Sequence, residues 1–485
     1  MSYRSLRSQF LNPDGLSHPL RMWRWFGVIL LSALILPCTA MGNPRYAAPV
    51  YGWEEPSGKL SAMEGQLQES SQGQVYRVQY VPPVTTNPGG QGAAQMGGPG
   101  PAEQPRQSMA TLVPFITVSE RYDSNVLSST NKVHDYITNV SPGARWNFLN
   151  SYFDGSLMET MIAERYARNP GLSYIGTTGA LNLGLDNTVG RLIRGWSLRV
   201  SDSFMYTPQQ PAFVAPEAGN QVPSSFVRGI QAYRANSLSN VGAITSTMPL
   251  ASNTTFVTTY THQILRFFGK SDPSLTGALF NVTNQTLSAG PQYRLSPNHS
   301  VGVTYQFQDM AFDSQGGSTT PGGITTHGGM LTWQGTLTRL ITVDVAVGGA
   351  VILPANSIQT TARAALQYTT PVITSSLSYS RGISPSYYLA GGALISDLVG
   401  LTVMYNASPS WYVLGSYNYQ TSHLTDGPSL RFESHGPVGS INYRITPTIV
   451  ATGQVSYYQL SFGSAGAQTV FNRELFTLSI RAEWN

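Results

Sequence analysis

Histidine–aspartate neighbours are the residues of this sequence best suited to acid–base chemistry. His134 directly precedes Asp135, and His423 stands close before Asp426. Such pairs can act as catalytic groups when they lie in loops or at strand ends. None of the 7 histidines has the H-E-x-x-H spacing of a zinc site, and the chain contains neither a G-x-S-x-G turn nor a phosphate-binding glycine loop. We therefore expect no enzyme activity, no metal and no cofactor.

A second set of polar side chains alternates with apolar ones. Between Val303 and Phe307, for example, Thr304 and Gln306 point away from the apolar side chains, since a strand has a side-chain period of two. If the apolar face meets lipid, the polar face lines a lumen. The predicted lumen-facing residues are Thr304, Gln306, Gln308, Gln359, Thr361, Arg363, Asn418, Gln420 and Arg481.

These nine residues are mostly neutral, with two arginines among them. Such residues could form either a water-lined wall with no role in transport or a solute path with weak charge preference. A wall of hydroxyls and amides holds water without a strong field, and the arginines tilt the expected preference slightly toward anions.

The elements that position these side chains are strands. From residue 111 onward, period-two segments of roughly 11 to 16 residues recur between turn-forming clusters. Short connections, such as 295–299 and 407–410, alternate with longer ones, such as 207–225. Outer-membrane barrels have short periplasmic turns and longer extracellular loops. We predict an all-β fold: a transmembrane antiparallel up-and-down barrel of about 18 strands, with a lower limit of about 16.

The last strand is the clearest of these segments. Four large apolar residues of its C-terminal part share one face, and polar residues share the other. This segment resembles the C-terminal assembly signal of bacterial outer-membrane barrels, although Asn485 follows the final aromatic residue. We expect it to close the barrel against the first strand, near 115–122. The predicted assembly signal consists of Phe476, Leu478, Ile480 and Trp484.

The N-terminal part has a different composition. Two arginines precede an apolar run at 25–36, which is shorter than the about 20 residues of a membrane-spanning helix. A short apolar run followed by small residues is typical of a cleaved signal peptide, with Met1 or Met22 as its start. The sequence thus predicts a signal peptide at 1–42, a disordered Pro/Gly/Gln-rich periplasmic linker at 43–110 and a barrel at 111–485.

Composition limits the partners. Charged residues make up 11% of the chain and the formal net charge is only +4, which gives no basis for nucleic-acid binding. The expected partners are outer-membrane lipid and the barrel-assembly machinery.

Two stretches carry a family resemblance. FITVSERYDSNV (115–126) and DYITNVSPGARW (135–146) resemble the opening hairpin of a family of outer-membrane β-barrel porins of Gram-negative bacteria. Members often accompany exopolysaccharide or protein-sorting loci. The resemblance implies outer-membrane localisation and adds polysaccharide export components as partners, but it implies no catalytic residue.

Two functions therefore remain open. The first is a weakly selective passive pore for small solutes, or a conduit linked to exopolysaccharide export. The alternative is a non-conducting barrel that anchors a cell-surface or export assembly, with the 43–110 segment inside the lumen.

Overall fold

A computed structural model describes residues 109–127, 132–209, 235–268, 280–314, 323–385, 393–424, 431–464 and 467–484. The predicted signal peptide and the predicted linker up to residue 108 lie outside these ranges. Among the described residues, no helix is long and apolar enough to cross a membrane. The short helix α1 covers Asp186–Val189, and a 3-10 turn covers Pro170–Leu172.

Strands make up most of the described chain. They are β1 (Met109–Asp123), β2 (Asp135–Leu149), β3 (Asp154–Tyr166), β4 (Tyr174–Gly184), β5 (Ser197–Gln209), β6 (Ala235–Ala251), β7 (Thr254–Phe268), β8 (Phe280–Ser296), β9 (His299–Ser314), β10 (Ile324–Thr338), β11 (Ile341–Leu353), β12 (Ser357–Thr369), β13 (Ile373–Pro385), β14 (Ala393–Ser408), β15 (Trp411–Leu424), β16 (Arg431–Thr446), β17 (Ile449–Ser464) and β18 (Ala467–Glu483).

The strands form one closed sheet. Each strand pairs antiparallel with its neighbours in the chain, and β18 pairs with β1 to complete an 18-stranded ring. The closing register runs from Phe115 opposite Glu483 to Asp123 opposite Leu475, so β18 meets the first strand where the sequence predicts. The predicted fold, an antiparallel up-and-down barrel of about 18 strands, is confirmed.

Connections of different length lie at the two ends of the barrel. At the short-turn end, pairs of residues such as 297–298 and 409–410 join the strands. There the Ser408 hydroxyl accepts hydrogen bonds from the N–H groups of Ser410 and Trp411, and Thr446 does the same for Thr448. Side-chain oxygens of this kind stabilise tight turns. The opposite end is here called the long-loop end. The connection between β11 and β12 is an exception there, because it consists only of residues 354–356.

The exposed face of the barrel is apolar and carries two aromatic rows. Near the long-loop end, Tyr136 and Phe476 flank Tyr122, with ring centroids 5.3 and 6.3 Å from it. Near the short-turn end, Trp146 on β2 belongs to the second row. Ten residues separate Trp146 from Tyr136, which is about 25 Å along the axis of a barrel with strands tilted at roughly 40°.

Candidate functional site

The inner wall of the barrel is the candidate functional site. On β9, Val303 is 58% exposed whereas Thr304 is partly buried, so the two faces of this strand differ as the sequence pattern predicts. The same contrast holds on β12, where Ile358 is 77% exposed and Thr361 is buried. All nine predicted lumen-facing residues lie on the less exposed face of their strands. That they line a solute path stays a prediction.

Neighbouring strands join these side chains into hydrogen-bonded rows. Gln308 donates from Nε2 to Asn284 Oδ1 at 3.0 Å, and Asn284 donates from Nδ2 to Gln263 Oε1 at 2.7 Å. Elsewhere in the wall, Gln420 donates to Ser422 of the same strand at 3.1 Å, and the Ser422 hydroxyl shares a hydrogen bond of 2.8 Å with that of Ser396 on the neighbouring strand. The amides hold one another in fixed orientations, as buried polar groups require. Sequence reasoning identified Gln308 but missed Asn284 and Gln263, because their adjacency depends on register.

Arg363 has an acidic partner that the sequence pattern did not reveal. Its Nε lies 3.0 Å from Asp344 Oδ1, and Gln334 donates to the other carboxylate oxygen at 2.6 Å. Asp344 stands on β11, diagonal to Arg363 across the ladder. Since the two charges compensate each other, Arg363 adds less net positive charge to the wall than its sequence alone suggests. The wall is closer to neutral than the sequence suggested.

Ion pairs also cross the seam where the chain closes on itself. Glu483 contacts both Arg145 on β2 and Arg481 on its own strand, and the Arg481 guanidinium lies 4.0 Å from the ring centroid of Phe115 on β1. Farther toward the long-loop end, Arg473 bonds to Asp123, with Nε 3.0 Å from Oδ1. These contacts bind β18 to the first two strands.

A fourth ion pair extends this network. Arg121 on β1 donates two hydrogen bonds of 2.9 Å to the Glu164 carboxylate on β3. Both side chains are almost completely buried, as are those of Arg473 and Asp123. A buried ion pair that loses one partner leaves an uncompensated charge, which is strongly destabilising. The seam therefore depends on every member of its network.

Glu483→Gln is expected to destabilise the closed barrel by about 3–5 kcal/mol, because Arg145 and Arg481 would then share no carboxylate at this position. The measurement is the temperature at which the detergent-solubilised barrel converts to the unfolded gel mobility. Glu120→Gln is the control, since Glu120 is exposed on β1 and bonds only to the Thr138 hydroxyl among its described contacts. Equal transition temperatures for both variants would contradict a stabilising role of the seam network.

The inner wall also carries apolar clusters at the long-loop end, beside the buried ion pairs, and sequence reasoning missed them. Three clusters lie there, and each continues the inward face of its strands beyond the polar rows. These clusters could have been predicted from the apolar residues that recur on the inward face near the strand ends, such as Met310 and Phe312. The β6–β9 cluster comprises Val241, Leu265, Phe267, Val282, Met310 and Phe312; the β1–β4 cluster Val126, Ile137, Ile162, Tyr166, Leu172 and Tyr174; and the β14–β17 cluster Leu394, Phe432 and Leu460.

The histidine–aspartate neighbours have separate surroundings. The Asp135 carboxylate accepts hydrogen bonds from the backbone N–H groups of Tyr136, Arg168 and Asn169 at 2.7–2.9 Å, so it holds the β3–β4 connection in place. The His134 ring contacts the Arg168 guanidinium. Asp426 lies outside the described residues. Within the described ranges, no group of three His, Cys, Asp or Glu side chains is placed to hold a metal ion.

Comparisons with known proteins found solved structures that are similar to this chain. No family model and no curated protein matches the chain. Among solved structures, OpdK of Pseudomonas aeruginosa is 9% identical with a TM-score of 0.41, covering 77% of this chain and 99% of that one. OccAB3 of Acinetobacter baumannii is 11% identical with a TM-score of 0.38, covering 77% and 99%. The ferric enterobactin receptor PfeA of P. aeruginosa is 8% identical with a TM-score of 0.42, covering 77% and 80%. The fold assignment rests on the strand pairing of this chain.

Proposed function

We propose that this protein is an outer-membrane barrel that forms a weakly selective passive pore for small solutes. The supporting observation is the division of the closed 18-stranded wall into two faces. The exposed face is apolar between aromatic rows about 25 Å apart, which matches the apolar band of outer-membrane barrels. The opposite face carries neutral amides and hydroxyls.

The size of the ring supports conduction. A ring of about eight strands encloses just enough space for its own side chains, whereas 16–18 strands leave an aqueous channel. The polar rows around Gln308 and Gln420 would hold water in the middle of such a channel, and compensated pairs such as Arg363–Asp344 keep the field weak. A small neutral solute meets little electrostatic resistance there.

A conduit for exopolysaccharide is the finer form of this proposal. It depends on the resemblance of the hairpin at 115–126 and 135–146 to porins that accompany exopolysaccharide loci. Polysaccharide export components and the barrel-assembly machinery are the corresponding proposed partners. Retention of the barrel by an immobilised export component in a pull-down, with an unrelated outer-membrane barrel as control, would test the association.

One observation favours the alternative function of a non-conducting anchor or scaffold. Several small inward-facing residues, including Ser141, Ser237 and Ser396, have almost no accessible surface. Serines on the wall of a wide, open channel should be wetted, so such burial indicates a narrow or filled interior. The predicted linker at 43–110, one candidate filling, lies outside the described residues up to residue 108.

We expect the purified, full-length mature protein to conduct in a planar bilayer, since the ring is wide enough for an aqueous path. Folded protein is first verified by different gel mobilities of boiled and unboiled samples, and by fractionation with the outer membrane. A variant lacking 43–108 is the matched comparison. Conductance only in the shortened variant would assign the segment a blocking role. No conductance from either form would contradict the pore and favour the scaffold.

A further inference from the structure

The seam between β12 and β13 stops short of the long-loop end. The two strands pair from Thr369 opposite Thr374 up to Ala362 opposite Arg381 and no farther. Beyond that point, residues 357–361 of β12 still pair with β11, and residues 382–385 of β13 still pair with β14. Two hairpins therefore diverge from each other above a common base. The gap between them is here called the β12–β13 opening.

Among the described seams, this is the one where both strands extend farthest beyond their last pair; at the β1–β18 seam only β18 extends, with residues 467–474 beyond the pair of Asp123 and Leu475. The β4–β5 pairing ends at Thr177 opposite Tyr206, which leaves three residues of each strand. The β7–β8 pairing ends at Leu265 opposite Val282, which leaves three residues and two. At the β12–β13 opening, five residues of one strand and four of the other face a gap. Two strand edges therefore border this gap.

Side-chain contacts show which strand leaves the wall. Along β13, Ile383 continues the row of Leu377 and Tyr379, which are exposed on the outer face. Ile383 nevertheless packs against the β6–β9 cluster, which belongs to the inner face. Its partner Ile395 on β14 is only 3% exposed. These contacts require the top of β13 to bend inward across the lumen, which separates it from β12.

The opening lies at membrane depth. Six residues separate Ala362 from Tyr368, an exposed aromatic near the short-turn end, and ten separate Ile358 from it. On a strand tilted by roughly 40°, these intervals correspond to about 15 and about 25 Å along the barrel axis. The gap therefore occupies the long-loop part of the apolar band. A bare sheet edge is intolerable in hydrocarbon unless it borders protein or a cavity.

The edges of the opening carry both apolar and polar residues, the polar ones being Ser357, Gln359, Thr360, Thr361 and Ser384. Ile358, on its outer edge, is the most exposed large hydrophobic residue of the described chain. Ile324 and Ile383, on its inner side, are only partly buried and lead to the β6–β9 cluster. A Cβ added at Gly382 would meet nothing within 4 Å, so there is open space on the face of β13 opposite the row of Leu377 and Tyr379. An apolar chain would find contacts at Ile358, Ile383 and Ile324.

We propose that the β12–β13 opening is a lateral portal through which the acyl chain of a membrane amphiphile passes between the outer leaflet and the apolar mouth of the lumen. The proposal adds a lipid-soluble substrate class to the small solutes of the axial path. It rests on the proposed membrane placement of the barrel but not on conduction. Burial of the chain against Ile324 and Ile383 supplies the driving force, at about 0.8 kcal/mol for each CH₂ group buried.

The test uses the full-length mature protein in vesicles that contain a phosphatidylcholine with a diazirine at the end of one acyl chain. After irradiation, mass spectrometry locates the labelled residues. We expect labels on outward residues such as Val303 and Leu331 and also on Ile324 and Ile383. Labels on the outward residues alone would overturn the portal and leave the membrane placement intact. A protein without labels would overturn both.

Gly382→Trp should reduce labelling of Ile324 at least about fivefold, because an indole occupies the volume that a chain would use. Gly415→Trp is the control for an added indole away from the portal, since Gly415, in the outer row of β15, also has nothing within 4 Å of an added Cβ. Both variants must keep the gel mobility of the folded barrel. Equal labelling of Ile324 in both would overturn the portal.

A cysteine pair tests the gap itself in a background with Cys38→Ser. Leu366 and Leu377 pair directly, so Leu366→Cys with Leu377→Cys should oxidise readily to a disulfide. Thr360 and Ile383 would be partners if the register continued, but Thr360→Cys with Ile383→Cys should stay reduced, because Cα atoms more than about 7 Å apart cannot be bridged. Equally rapid oxidation of both pairs would show a closed seam and overturn the portal.

Discussion

Removal of residues 476–485 is expected to leave almost no barrel in the outer membrane, with a decrease of at least about tenfold in membrane-inserted protein, because an open sheet edge is not tolerated in hydrocarbon. Eight of the nine pairs between β18 and β1 involve this segment. Its loss also removes Glu483 and Arg481 from the seam network. Immunoblots of the membrane and soluble fractions measure the result; normal membrane levels would show that another segment closes the barrel.

Two full-length variants separate recognition by the assembly machinery from strand pairing. Replacement of Phe476, Leu478, Ile480 and Trp484 by Asn retains every backbone hydrogen bond but removes the outward apolar face. Since all four side chains are exposed, the barrel's interior is unchanged, and a loss of membrane insertion would come from the outer face. Thr477→Ser, on the inner face of the same strand, is the matched control and should insert normally.

Arg363→Glu is expected to make the nearly neutral pore clearly cation-selective. The substitution places a second carboxylate beside Asp344, whose partner at 3.0 Å is lost. In a region where water is confined, neighbouring charges of one sign concentrate the opposite ion. The reversal potential of the single-variant protein in a planar bilayer with a salt gradient measures the change.

Asp344→Asn should act in the opposite direction, because it leaves the Arg363 charge uncompensated and favours anions. Glu120→Gln, on the exposed face of β1, is the control for a charge change that does not face the lumen, and it should leave the reversal potential as it is. If all three variants behave like the unaltered protein, Arg363 and Asp344 do not border the conducting path. With both residues intact, we expect a preference close to neutrality.

Local patterns in the sequence determined the architecture. Alternation along β9 and β18 sets the two faces of each strand, because a side-chain period of two requires only neighbouring residues. Turn-forming clusters such as 297–298 and 409–410 then set strand length and the division between short and long connections. Together they sufficed to predict an antiparallel barrel of about 18 strands and the inward face that carries Gln308, Arg363 and Arg481.

The partners of those residues were decided only by the tertiary structure. Arg473 and Asp123 stand 350 positions apart, and Arg145 and Glu483 stand 338 apart, so no local pattern links them. They meet because the closure of the ring brings β18 beside β1 in one register. The separation of β12 from β13 is likewise a property of the closed sheet, since only the end of their pairing at Ala362 and Arg381 and the packing of Ile383 reveal it.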